Sequence, residues 1–356
     1  MDQQAALTYS HVALIAYADA LLQRAGMPAD KAEVVARILV DADLMGHSTH
    51  GLNLLKSYLD GIADGAMRLE GDFTVVAKRP ATQTWDGHRL PGAWLVSQAL
   101  QTAIAQAQTY GTGTVVIRNS HHIGCLAAYL RHATEAGMVL LLFSSAPAAS
   151  TVAPFGGTRA LFSPSPLAMG CPTQGDPIWV DISTSITTNN MVARLQREGG
   201  KLPQPWLLDH QGNPTDDPNA IGGPTPGSLL PLGGLDAGHK GYGLALMVEA
   251  LTAGLSDQGR FQDNGKMSNT VFLQVLDPEA FGGLPGLQSQ MQQIAQACVD
   301  NPPRPGVGRV RVPGQKAAAR YREQAEHGVQ LTPDILRNLQ DWSEKLGVAM
   351  PSPLSS

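Results

Sequence analysis

No stretch of this 356-residue chain holds about eighteen unbroken apolar residues, so nothing in it reads as a membrane-spanning helix. Positive charge is scarce as well. Lys and Arg total 25 against 30 Asp and Glu, a formal net charge of −5 with no basic face, which speaks against a nucleic-acid binder. Cys125, Cys171 and Cys298 lie far apart and form no CxxC, a usage suited to a reducing compartment. The opening Met1-Asp-Gln-Gln lacks the basic and apolar regions of a secretion signal, so a cytoplasmic protein is expected. Two missing motifs bear on function. Gly111-Thr-Gly113 lacks the third glycine of GxGxxG and precedes a strand, which weakens a Rossmann reading. Neither a GxSxG elbow nor a P-loop occurs.

What is present is an ordinary globular composition, 43% hydrophobic and 15% charged, with 38 Gly and 25 Pro to make turns. Leu14, Ile15, Ala18, Leu21, Leu22 and Ala25 recur at helical spacing over 9–25. A second helix opens at Pro28-Ala-Asp30 and ends near Gly46, and a third spans 52–62. From about residue 71 strand and helix signals alternate. Strands are expected at 73–77, 81–85, 111–117, 138–143, 167–170, 177–182, 270–276 and through 309–312. Helices are expected at 91–108, 124–136, 241–255 and 286–299. A Pro- and Gly-rich excursion fills 200–237, with a turn at Asp209–Asn213, and the tail ends in an amphipathic segment at 333–346. This alternation predicts an α/β body with a mixed sheet over 71–314. Residues 1–70 and 315–356 are expected to form a discontinuous helical domain.

Three polar clusters stand at element ends. His47 and His50 flank Ser48-Thr49 at the junction after the second helix, and Arg118-Asn-Ser-His121-His122-Ile-Gly124 follows a strand. Asp181-Ile-Ser183-Thr184-Ser185 also follows one. Asp181, turned toward His50, would orient the imidazole and favour its protonated form, while the hydroxyls after it suit a phosphate or ribose. Gly238-His239-Lys240-Gly-Tyr-Gly243 is expected to open a helix and offer a cation and N–H groups to a phosphate. Taken singly, each has a plainer reading: a solvated His50, a helix-capping Asp181, a surface Lys240. A metal site would have to assemble His47, His50, His121, His122, Asp41 and Asp43 in three dimensions, and adjacent histidines rarely both bind one ion, so none is expected.

In this order the motifs resemble the malate/L-lactate dehydrogenase family of the non-Rossmann type. They are Gly46-His-Ser-Thr-His-Gly51, Asn119-Ser-His-His-Ile-Gly124, Pro154-Phe-Gly-Gly157, Phe162-Ser-Pro-Ser-Pro166, Asp181-Ile-Ser-Thr-Ser185, His239-Lys-Gly-Tyr-Gly243 and Pro313-Gly-Gln315, and they run through nearly the whole chain. The resemblance implies a three-layer, sulfolactate-dehydrogenase-like NAD(P)-binding fold and a homodimer. It implies hydride exchange between NAD or NADP and a small carboxylate-bearing 2-oxo acid, 2-hydroxy acid or cyclic imino acid. It gives His50 the proton, with Thr49 and Asp181 in relay and His122 as second acid/base or cofactor contact. Gly124, Ser145, Ser183, Thr184, Ser185, His239, Lys240, Gly314, Gln315 and Lys316 match segments that line the cofactor, and Ser165 falls on the substrate side. Departures fall in the substrate pocket. Leu54 stands where many members carry a carboxylate-gripping Arg, and Ser163-Pro-Ser-Pro166 replaces G-T-N-P. Lys56 and Arg118 are the cations that could substitute. A catalytically silent ligand-binding relative is the alternative.

Overall fold

The computed structural model describes residues 7–262 and 268–354. A short strand β1 (Leu7–Tyr9) leads into α1 (His11–Arg24) and α2 (Ala29–Leu44), which pack through Leu14, Ala18, Leu21 and Leu22 against Val35, Ile38, Leu39 and Ala42, the residues whose spacing marks the helices. Two single-turn 3-10 segments, Ser48–His50 and Leu52–Leu54, then precede α3 (Leu55–Ala63). Next come β2 (Thr74–Arg79), β3 (Thr82–Asp86), α4 (Gly92–Tyr110), β4 (Thr112–Ser120), α5 (Leu126–Glu135), β5 (Val139–Ser145), β6 (Leu167–Cys171), β7 (Ile178–Ile182) and α6 (Asn189–Glu198). The chain continues through the two-residue strands β8 (Leu207–Leu208), β9 (Pro214–Thr215) and β10 (Ser228–Leu229) to α7 (Gly234–Glu249). It ends with β11 (Asn269–Leu276), α8 (Leu284–Val299), α9 (Gln315–His327), β12 (Val329–Leu331) and α10 (Pro333–Leu346).

Seven strands form one mixed sheet in the order β2-β3-β4-β11-β5-β6-β7. β3 and β4 are parallel, joined by α4, and the other pairs are antiparallel. Side chains alternate across a strand, and here both faces are covered. Val115, Ile117, Leu140, Leu142, Val271, Leu273 and Val275 enter the main core with α4 and α5. Val116, Phe143 and Phe272 point the other way, onto Val248 of α7. Helix, sheet and helix are thus the three layers that the resemblance implies. The chain ends meet as well, because β1 pairs antiparallel with β12 and α10 packs on α1 and α3.

Several expectations need correction. Residues 309–312 are not a strand. Their Arg-Val-Arg-Val alternation has no partner strand among the described residues, and just after it the Trp179 N–H of β7 donates to Pro313 O at 3.3 Å. Helix α6 was absent from the periodicity because it buries only Val192. Its signals are the caps: Thr188 Oγ1 accepts from the Met191 N–H, and Gly199 closes the helix at φ 64°. Helix α7 starts at Gly234, seven residues before the expected 241. The excursion brings Leu202, Leu207 and Leu229 into a small separate core with Val152, Phe162 and Val192, with the 209–213 turn joining β8 to β9.

Candidate active site

The His50 loop is fixed from below by Asp43, in the last turn of α2. The Asp43 carboxylate is buried and its Oδ2 accepts the Leu52 N–H at 2.7 Å. Gly51 lies directly on this carboxyl. A Cβ there would come within 2.2–2.4 Å of its atoms, so only glycine fits. Burial pushes Asp43 up to about 7, with the Leu52 hydrogen bond opposing. Gln324 of α9 donates to the Asp43 and Leu44 carbonyls at 2.9 Å each, closing the end of α2. Above this base, His50 Nδ1 and Thr49 Oγ1 are 3.0 Å apart, and Asn190 Nδ2 donates to Thr49 O at 3.4 Å. Burial lowers the His50 pKa, the Asp181 charge raises it, and His47 lowers it.

The second cluster stands against the first. The rings of His50 and His122 stack with centroids 6.1 Å apart and planes 22° from parallel. His122 Nδ1 takes the Gly124 N–H at 3.2 Å and lies 2.9 Å from the Tyr58 hydroxyl. Burial, then His50 and His121, push His122 down to about 3. Asp181 makes no hydrogen bond to His50. Its Oδ2 accepts the Ala127 N–H at 2.9 Å at the start of α5 and faces Cys125 Sγ at 3.7 Å. The helix-capping reading therefore describes its contacts, while its charge acts on His50 through the field.

Other sequence-selected residues lie as follows. Ser145 is buried, its hydroxyl donating to Glu249 Oε1 at 2.5 Å and accepting from Arg260 Nη2 at 3.0 Å. Ser185 donates to Thr187 O, Thr184 to Pro164 O and Ser183 to Ser185 O, so these hydroxyls hold their own loop. Ser165 is fully buried at φ 41°, its hydroxyl donating to Ser163 O at 3.1 Å. His239 and Lys240 sit in the second turn of α7, not at its start, so no free helix N–H groups accompany them; the true start carries Asp236. An anion-suited helix start exists instead at α9. Gly314 caps it at φ 87°, Lys316 stands in its first turn, and that turn has no acid. Beside it lie a cleft of about 110 Å³, lined by Pro313 and Gln315, and a second of about 370 Å³, lined by Trp179 and Tyr321.

Neither cation offered as a replacement for Leu54 is free. Lys56 pairs with Asp60 at 2.7 Å, and Arg118 with Asp86 at 3.0 Å. Leu54 itself packs against the main core. The residues that motif reading missed are supports. Tyr58 looks like one more core position of α3, and Arg260, largely buried and paired with Glu249 at 2.6 Å, lies in a stretch without periodicity.

Residues 9–340 match the malate/L-lactate dehydrogenase family. The chain is 35% identical to the L-lactate dehydrogenase of Cupriavidus necator over 92% of its length and 94% of the relative's. It is 33% identical to a (2R)-3-sulfolactate dehydrogenase (NADP(+)) of Chromohalobacter salexigens, over 86% and 90%. Its fold superposes on the crystal structure of malate dehydrogenase from Entamoeba histolytica with a TM-score of 0.91 at 26% identity, covering 98% of this chain and all of that one. With 332 of 356 residues in the family match and this fold beneath them, the chain belongs to the malate/L-lactate dehydrogenase family of NAD(P)-dependent oxidoreductases.

Proposed function

We propose that the protein interconverts a small 2-hydroxy acid and its 2-oxo acid, with His50 moving the proton. The carrying observation is the pairing at His50. Its Nδ1 is held by Thr49 at 3.0 Å, Nε2 has no hydrogen bond among the described residues, and a carboxylate field opposes the desolvation of its cation. Such an imidazole can give a proton to a developing alkoxide and take it back in the reverse direction. NAD(P), when bound, supplies or accepts the hydride. The α9 start suits its phosphates through the N–H and ammonium of Lys316, beside Gly314, which opens the helix at φ 87°, and the Gln315 side chain; the Gln315 N–H itself donates to Val312 O at 3.2 Å. A homodimer agrees with the exposed apolar side chains of α7 and its neighbours, Leu235, Leu246, Met247 and Leu255. The division into a helical domain from both chain ends and a central NAD(P)-binding domain is part of the same reading, supported by the β1–β12 pairing.

A spectrophotometric screen of 2-oxo, 2-hydroxy and cyclic imino acids with NADH, NADPH and their oxidised forms tests the proposal. His50→Ala is expected to lower kcat by about 10²–10⁴-fold while leaving NAD(P)H binding, followed by fluorescence, nearly unchanged. Full turnover by His50→Ala would end the assignment. Binding of NAD(P)H with no acid turned over would favour the silent ligand-binding relative.

A further inference from the structure

Two histidines compete for the acid/base role at this site, and the protein's own hydrogen bonds separate them. A backbone N–H can only donate, and the Gly124 N–H points at His122 Nδ1 from 3.2 Å. That nitrogen must therefore present its lone pair. The Tyr58 hydroxyl, 2.9 Å from the same atom and 3.4 Å from the His122 carbonyl, has an acceptor on each side and is the second donor to that edge. Gly124 reaches this position at φ 76°, a conformation that favours glycine, and Tyr58 is anchored in the core of α3. With Nδ1 so occupied, the ring proton resides on Nε2, which makes no hydrogen bond among the described residues and is not among the buried orphan atoms. His50 stacks beside it, 6.1 Å away.

We propose that Tyr58 and the Gly124 N–H lock His122 in the Nε2–H tautomer, making it a permanently neutral hydrogen-bond donor to a carbonyl-type oxygen at the His50 site. Tyr58 is then a positioning residue, acting through His122, and proton transfer falls to His50 alone. The titratable groups acting on His122 are His50 and His121, with Tyr58 at its edge, and both histidines disfavour a positive charge there. A neutral imidazole that donates from one nitrogen polarises a carbonyl without changing its own charge during the reaction. The acceptor has two sources, the oxygen of the substrate that becomes the alkoxide and the carboxamide oxygen of the nicotinamide.

The role as donor in turnover rests on the proposed function, whereas the tautomer does not, so two experiments keep them apart. In the full-length protein labelled with ¹⁵N-histidine, His122, assigned through the loss of its signals in His122→Gln, should show an acceptor-type Nδ1 and a protonated Nε2 from pH 5 to 9. In Tyr58→Phe the Nδ1 resonance should move, because one of its two donors is gone. A protonated Nδ1, or a titration midpoint for His122 within that range, overturns the lock whatever the enzyme turns over. In kinetics, His122→Gln keeps an N–H donor and should stay within about tenfold of the parent, whereas His122→Phe should lose about 10²–10³-fold. A fall in kcat at unchanged coenzyme KM assigns the substrate oxygen, and a raised coenzyme KM assigns the carboxamide. Equal inactivity of the Gln and Phe variants would make His122 a proton carrier and refute the donor role.

Discussion

Asp43→Asn offers a quantitative test of the base beneath His50. The Asp43 carboxyl is held up to about 7 by burial, against about 4 for a carboxylate in an unfolded chain. The sign follows from proton linkage. Below about pH 4 both states hold the proton and the group is neutral in effect. As pH rises from there to 7, the unfolded chain releases its proton while the native protein keeps it, and stability falls by about 1.4 kcal/mol per pH unit. Above 7 the loss levels off. Between pH 5 and pH 8 the wild type should lose about 3 kcal/mol through this one group. Asparagine has nearly the same shape, and its oxygen can still accept the Leu52 N–H, but it does not titrate. Its NH₂, buried on Gly51, brings a constant penalty of about 1–3 kcal/mol.

The variant should therefore gain on the wild type as pH rises. An unfolding entropy of about 2.1 cal/mol/K per residue over 356 residues gives about 0.75 kcal/mol/K. The difference in Tm between the two proteins should thus move by about 3–4 °C in favour of Asn from pH 5 to pH 8. Parallel circular-dichroism melts at each pH unit measure this. A Tm difference that stays constant across that range would show that Asp43 is ionised in the native protein throughout, and the argument from its burial would fail.

Gly51→Ala should cost about 10²-fold in kcat, because its Cβ must displace the Asp43 carboxyl and move His50 with the loop; unchanged turnover at equal coenzyme affinity would refute this. Arg260→Met should destabilise by about 3–5 kcal/mol in urea unfolding, since the largely buried Glu249 loses its charged partner and keeps only the Ser145 hydroxyl. Adding Glu249→Met should recover most of that loss. Asp181→Asn should keep the Ala127 hydrogen bond through its amide oxygen and remove the charge that raises His50. The limb of the reductive kcat profile that depends on protonated His50 should then move to lower pH, and an unmoved limb would uncouple the two residues.

The sheet was legible where burial imposes a period. Val115, Ile117, Leu140 and Leu142 lie on one face because alternate residues must, and that pattern survives in any partner arrangement. It cannot say whether a partner exists, which is why Arg309-Val-Arg-Val312 alternates and yet pairs with no strand among the described residues. Helix α6 shows the reverse, a polar helix held by Thr188 and Gly199 with almost no apolar signal. At the site, motif resemblance brought His50, His122 and Asp181 forward, but their supports join residues far apart in sequence. Tyr58 meets His122 across 64 positions, and Gln324 meets the end of α2 across 281.

Asp181 shows why such contacts change chemistry and not only detail. Read from the sequence, it is either a helix cap or the orienter of His50. In the fold its Oδ2 takes the Ala127 N–H, and the same carboxylate raises the His50 pKa without touching it. Capping fixes the distance and direction of the charge, so the structural contact is what makes the electrostatic one reproducible. The cap and the charge effect are therefore carried by one carboxylate, without the direct contact to His50 that an orienter would make. A substitution that preserves the cap and removes the charge separates them, whereas one that removes both cannot.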